Sequence, residues 1–184
     1  MSTSLVLTVI GPDRPGLVES LSQTLSAYEA SWQESRMSRL AGKFAGILRV
    51  NVPTIHADTL EHALRAHHAE GLSVVVERGV DGSATHPRRV VSLELLGTDR
   101  PGIIRALSEA LTLMGINVED LETACLRASM CGGTLFKASA RLGVPAGVAI
   151  DDLRHALEAL ADDLMVDLSP ADELLEQMEP SQVL

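Results

Sequence analysis

Residues 5–16 read LVLTVIGPDRPG and residues 91–102 read VSLELLGTDRPG. Asp13, Arg14, Pro15 and Gly16 recur as Asp99, Arg100, Pro101 and Gly102, all at an offset of 86 (99 − 13). An identity of this kind inside matching apolar runs marks an internal duplication. A duplication restricts the architecture more than any other signal, because the chain has to fold as two copies of one unit. With 184 residues in all, each copy has the size of a small domain.

Both copies show the same succession of patterns. Leu5 to Ile10 and Val90 to Leu96 are short apolar runs that predict buried strands. A Gly/Pro/Asp loop follows each run. Pro15 and Pro101 are expected at the first helical position, where a missing N–H costs nothing. Leu17, Val18, Leu21 and Leu25 form an apolar stripe at helical spacing, as do Ile103, Ile104, Leu107, Leu111 and Met114. Two strand-like runs come next, flanking Ala41-Gly42 in the first copy and Cys131-Gly132-Gly133 in the second. A second helix is expected over about Ala57 to Glu70 and about Val148 to Asp162, the latter with Leu153, Leu157 and Leu160 on its buried side. Leu72 to Glu77 and Leu164 to Leu168 read as closing strands.

The order is βαββαβ, twice. It predicts an α+β fold of two tandem ferredoxin-like units, each a four-stranded antiparallel sheet with two helices on one face. The units are expected at 1–78 and 89–169, joined by a breaker-rich linker at 79–88. An acidic tail occupies 170–184. Its stripe of Leu174, Leu175 and Met178 is too short to stand alone as a helix, so a peripheral segment is expected there.

Composition narrows the function. Hydrophobic residues make up 46% and aromatics only 2%, so the cores must rest on Leu, Val, Ile and Ala. The formal net charge of −10 repels phosphate backbones, and scarce aromatics leave few platforms for base stacking, which argues against direct nucleic-acid binding. No apolar run approaches a membrane span, and the start of the chain lacks the pattern of a signal peptide, so the cytoplasm is the expected compartment. Cys125 and Cys131 do not make a disulfide framework. They are expected as small buried residues across a hairpin. His62, His67 and His68 lack the i, i+4 spacing of a helical metal pair and are expected on a solvated surface, so no metal site is expected.

The repeated Gly-x-Asp-Arg-Pro-Gly loop is the best candidate site. It joins a strand end to a helix start, where unpaired N–H groups and the helix dipole suit a carboxylate. Asp13 and Asp99 would set an acceptor for an ammonium beside those donors. An α-amino acid carries both groups. The same residues also suit a plain helix start in which the Asp caps backbone donors. Residue chemistry alone leaves both readings open.

The doubled loop within βαββαβ units resembles the ACT domain, the small-molecule sensor attached to many amino-acid metabolic enzymes, over about residues 4–78 and 89–169. Two further stretches are similar to the tandem-ACT group that includes the glycine cleavage system transcriptional repressors. One is Glu34 to Leu40 with Gly42, Phe44-Ala45 and Leu48; the other is Leu135-Phe136, Pro145, Leu153-Arg154 and Leu164 to Asp167.

The resemblance implies effector contacts at the loop Asp, the Pro-Gly turn and an Asn at the start of the second strand. In the second copy these fall on Asp99, Pro101, Gly102 and Asn117, with Arg100 in the same loop. In the first they fall on Asp13, Pro15, Gly16 and Ser31, with Arg14. Ser has fewer hydrogen-bonding groups than Asn, so the second copy is expected to hold the better site. The resemblance further implies a non-catalytic regulator without a cofactor. Its effector would be a small amino acid such as glycine or serine. Its partner would be a regulator protein, such as a transcription factor of glycine or one-carbon metabolism, or a metabolic enzyme whose allosteric subunit it forms; a homo-oligomer is expected. ACT domains also precede the catalytic part of formyltetrahydrofolate deformylases, so a small enzyme is the third reading; because the second repeat uses up the chain, no catalytic part is expected to follow.

Overall fold

A computed structural model of the chain describes residues 1–79, 88–127 and 133–170. The chain divides into two compact units between residues 83 and 84. In the first, β1 (Ser2–Pro12), α1 (Leu17–Ala27), β2 (Ser31–Leu40), β3 (Lys43–Pro53), α2 (Ala57–Ala66) and β4 (Ser73–Arg78) build a four-stranded antiparallel sheet of order β2-β3-β1-β4. In the second, β5 (Arg88–Thr98), α3 (Ile103–Leu113), β6 (Asn117–Arg127), β7 (Thr134–Pro145), α4 (Ile150–Glu158) and β8 (Met165–Pro170) repeat the pattern as β6-β7-β5-β8. The α+β architecture is the one expected, two ferredoxin-like units in tandem.

Alternation on the central strands decides which face is packed. Leu5, Leu7 and Val9 on β1, and Val91, Leu93 and Leu95 on β5, are at most 2% exposed. Onto them α1 turns Leu17, Leu21 and Leu25, and α3 turns Ile103, Leu107 and Leu111. Leu60 and Leu64 of α2, and Leu153 and Leu157 of α4, complete the two cores. Each such Leu stabilises its unit by about 1.5–3 kcal/mol through removal from water. Val18, expected in the α1 stripe, is exposed, because the buried row runs strictly every four residues.

The duplication reaches into fine geometry. The register of β2 against β3 slips between Trp32 and Glu34, and that of β6 against β7 slips between Val118 and Asp120. Both bulges lie at the repeat offset (118 − 32 = 86). The hairpins differ. In the first unit Ala41 and Gly42 have φ of 48° and 75°, the paired left-handed conformation of a type I′ turn. In the second unit the hairpin is longer, and residues 128–132, with Cys131, lie outside the described residues, as do most of the expected linker (80–87) and the tail (171–184).

Three expectations need correction. Helix α2 ends at Ala66 and passes into a 3₁₀ turn over His67–Glu70, closed by Gly71 at φ 85°. His67 is not on the surface. It is buried between helices, its Nε2 2.8 Å from the Thr24 hydroxyl and its Nδ1 3.4 Å from that of Ser20. His62 and His68 are exposed as expected. Cys125, in turn, is exposed rather than buried. It belongs to β6, which is exposed along its whole length. In the first unit Trp32 and Met37 of β2 reach the core, whereas Val118 and Thr123 hold the same registers of β6 and are too short to do so.

Candidate functional site

Each candidate loop leaves the end of a central strand and enters a helix through a Pro-Gly turn. Pro15 and Pro101 do not take the first helical position. The helices start at Leu17 and Ile103, after Gly16 and Gly102, which both have φ of 89°. With ψ of −4° and 2°, these glycines hold the third position of type II turns, which requires a positive φ. The Ile103 N–H closes its turn on the Arg100 carbonyl at 3.4 Å. Nothing lies within 4 Å of where a Cβ would stand on Gly16 or Gly102, so the requirement is conformational and the space beside the turn is open.

Neither helix start carries a side-chain cap. Among the described residues no backbone N–H is seen to bond the carboxylate of Asp13 or Asp99, so the loop Asp is not the helix cap. In α3 the Ala106 N–H bonds the Gly102 carbonyl, and the amides of Ile104 and Arg105 precede the first bond of the helical ladder. Those amides and the positive end of the helix dipole are what a carboxylate would use.

The two Asp residues differ in their partners. Asp13 Oδ2 sits 2.8 Å from Arg39 Nε on β2. Among the described residues nothing forms an ion pair with Asp99. The backbone settings match all the same: the Asp13 N–H bonds the Gly42 carbonyl at 3.0 Å, and the Asp99 N–H bonds the Thr134 carbonyl at 2.9 Å.

The arginines differ too. Arg100 reaches across to the α4–β8 connection, with Nη1 3.3 Å from Asp163 Oδ1 and Nη2 3.1 Å from the Leu160 carbonyl. Asp163 Oδ2 accepts the Thr98 N–H at 3.0 Å. Hydrogen bonds from Thr98, side chain before main chain, and the nearby Arg100 charge hold the Asp163 carboxyl below its ordinary range. Arg100 is thus a clasp that fixes the loop. In the first unit Gly71 stands where Asp163 stands in the second, since Gly71 and Asp163 each crowd the last-turn glycine of their central strand, Gly11 or Gly97. Gly71 brings no carboxylate to that position.

Asn117 and Ser31 do not join their own loops. Asn117 is level with Gly143 and hence Val90, whereas Asp99 follows Thr98, eight residues along the same strand (98 − 90). At about 3.4 Å per residue that is roughly 27 Å. Ser31, level with Asn51 and Ser4, is equally far from Asp13. Within one unit no amino acid can touch both.

The model of the ACT domain family matches residues 3–77 and 90–169. The chain belongs to the ACT domain family. It carries the domain twice, and ACT domains are regulatory, amino-acid-sensing modules. Among solved structures, an unknown protein from Galdieria sulphuraria is similar at 29% identity and a TM-score of 0.81, over 93% of this chain and 99% of that one. A protein assigned provisionally as a glycine cleavage system transcriptional repressor shares the fold at 17% identity and a TM-score of 0.68, over 92% of this chain and 97% of that one. No curated protein matches the chain in sequence.

Sequence reasoning found both ACT loops and missed what surrounds them. The repeat marks position 39 as a difference, since position 125 (39 + 86) holds Cys in place of Arg, but not that Arg39 meets Asp13. Asp163 carried no signal, since its role depends on how the α4–β8 connection folds back over β5.

Proposed function

We propose that this tandem ACT protein is a non-catalytic regulator that binds a small amino acid, glycine or serine, and reports it through protein contacts. The observation that carries this reading is the second loop. It sets an Asp99 carboxylate without an ion-pair partner among the described residues beside uncapped amides of α3. An effector's ammonium would face Asp99, and its carboxylate would face Ile104 and Arg105 next to Gly102.

Because Asn117 is roughly 27 Å from the loop of its own module, its contribution requires a second module. An effector held by Asp99 of one chain and by Asn117 of a second copy would tie chains together, and ligand binding would become a change in assembly. Edge strand β6, exposed along its length, supports a homo-oligomer, since a long exposed edge strand is a ready template for pairing. The fold shared with the assigned repressor favours a transcription factor of glycine or one-carbon metabolism as the protein partner.

Thermal-shift screening against the twenty amino acids tests the reading. The effector at a hundred times its Kd should stabilise the protein by about 2.7 kcal/mol. Asp99→Ala and Asn117→Ala should each remove most of that stabilisation. If no amino acid stabilises the intact protein, the loops are interaction surfaces and the effector reading is wrong.

A further inference from the structure

We infer that the residue at one edge-strand position, Arg39 in the first module and Cys125 in the second, ranks the two effector sites. The inference rests on the proposed function and deepens it. Arg39 is paired with Phe44 across the β2–β3 ladder, and Cys125 with Phe136 across β6–β7. These registers are equivalent, because Gly11 faces Phe44 and Gly97 faces Phe136 on the central strands. The two modules therefore present different chemistry to the same loop carboxylate.

In the first module the Arg39 guanidinium already occupies Asp13, with Nε–Oδ2 at 2.8 Å. A cation of the chain stands where the ammonium of an effector would. In the second module a cysteine holds that position, and Asp99 has no cation on it among the described residues. An effector entering the first loop has to displace Arg39 and then share Asp13 with it; one entering the second meets no competitor.

The pair is accessible, with Arg39 72% and Asp13 33% exposed, so the plug tunes affinity rather than abolishing it. Exposed pairs of this kind are worth up to about a fivefold change in an equilibrium constant. The chain thus holds a tighter site and a weaker site, and would respond over a wider range of effector concentration than two equal sites could.

The test is calorimetric titration of the full-length protein with glycine and with serine. The variants are Arg39→Ala, Cys125→Arg and the exchange Arg39→Cys with Cys125→Arg. Residue 125 lies on an exposed strand, so the substitution should leave folding intact, as circular dichroism would verify. Arg39→Ala should tighten the weaker site by up to about fivefold. Cys125→Arg should weaken the tighter site by a similar factor, and the exchange should reverse the order of the sites. The inference is overturned if the intact protein binds an amino acid through Asp99 while Arg39→Ala and Cys125→Arg both leave every affinity unchanged. A failure of the effector reading looks different. No protein in the series would bind, yet the Arg39 Nε–H would still exchange slowly by NMR and become fast in Asp13→Asn. That outcome removes the sensing role of both loops and, with it, the role of Arg39 as a plug.

Discussion

Two glycines that look alike in the sequence do different things at the second loop. Gly102 is needed for its φ of 89°, with open space beside it, whereas a Cβ on Gly97 would stand 2.6 Å from Leu164 Cδ2. Gly102→Ala should therefore cost about 1–2 kcal/mol of backbone strain in chemical denaturation and leave the core packing unchanged. Gly97→Ala should instead disturb core packing, because the Leu164 side chain must turn away while the Asp163 carbonyl, at 3.4 Å, stays in ordinary contact. The Asp163 clasp makes a prediction about pH. Its carboxyl titrates below the ordinary range in the folded protein, so its contribution is complete above the unfolded value near pH 4 and is lost as the pH falls through the folded value. Protection of the Thr98 amide against exchange, relative to its intrinsic rate at each pH, should be high at neutral pH and fall as the Asp163 carboxyl is protonated. In Asp163→Ala it should be low throughout, and unchanged protection would show that the clasp does not fix the loop.

The strands and helices were legible because each obeys one period. Leu5, Leu7 and Val9 alternate, and Ile103, Leu107 and Leu111 repeat every fourth residue. What period could not show was the burial of His67. Its helix ends one turn early, and the 3₁₀ turn that follows carries the ring inward against Ser20 and Thr24. His67→Leu should destabilise the first module by about 1–3 kcal/mol, measured by urea unfolding, because the ring's hydroxyl partners lose a buried bond. No change would mean that water replaces the ring. The site was legible in part. The loops stood out by identity, but the roughly 27 Å between Asp99 and Asn117 follows from where α3 ends, on the far side of the sheet, which a residue list does not contain. The Asp13–Arg39 pair likewise becomes visible only once the β2–β3 hairpin closes on the loop.

At the scale of the molecule, one sequence has been used twice with unequal results. The first module fastens its loop to Arg39 and anchors its edge strand to the core through Trp32 and Met37. The second leaves Asp99 unpaired among the described residues and its edge strand β6 open, with Leu121 43% exposed. That asymmetry is the reason to place sensing and self-association mainly in the second module. Leu121→Asp should weaken self-association in sedimentation velocity without altering the circular dichroism spectrum, and an unchanged sedimentation profile would locate the contact elsewhere. The role proposed for Asp99, receiving the ammonium of an amino acid effector, is the one on which the others depend. It is measured most directly by calorimetric titration of the intact protein, Asp99→Ala and Asp13→Ala with glycine and serine. Asp99→Ala should lose the tighter binding, by tenfold or more at about 1.4 kcal/mol per decade, while Asp13→Ala retains it. Equal binding by Asp99→Ala and the intact protein would contradict that role.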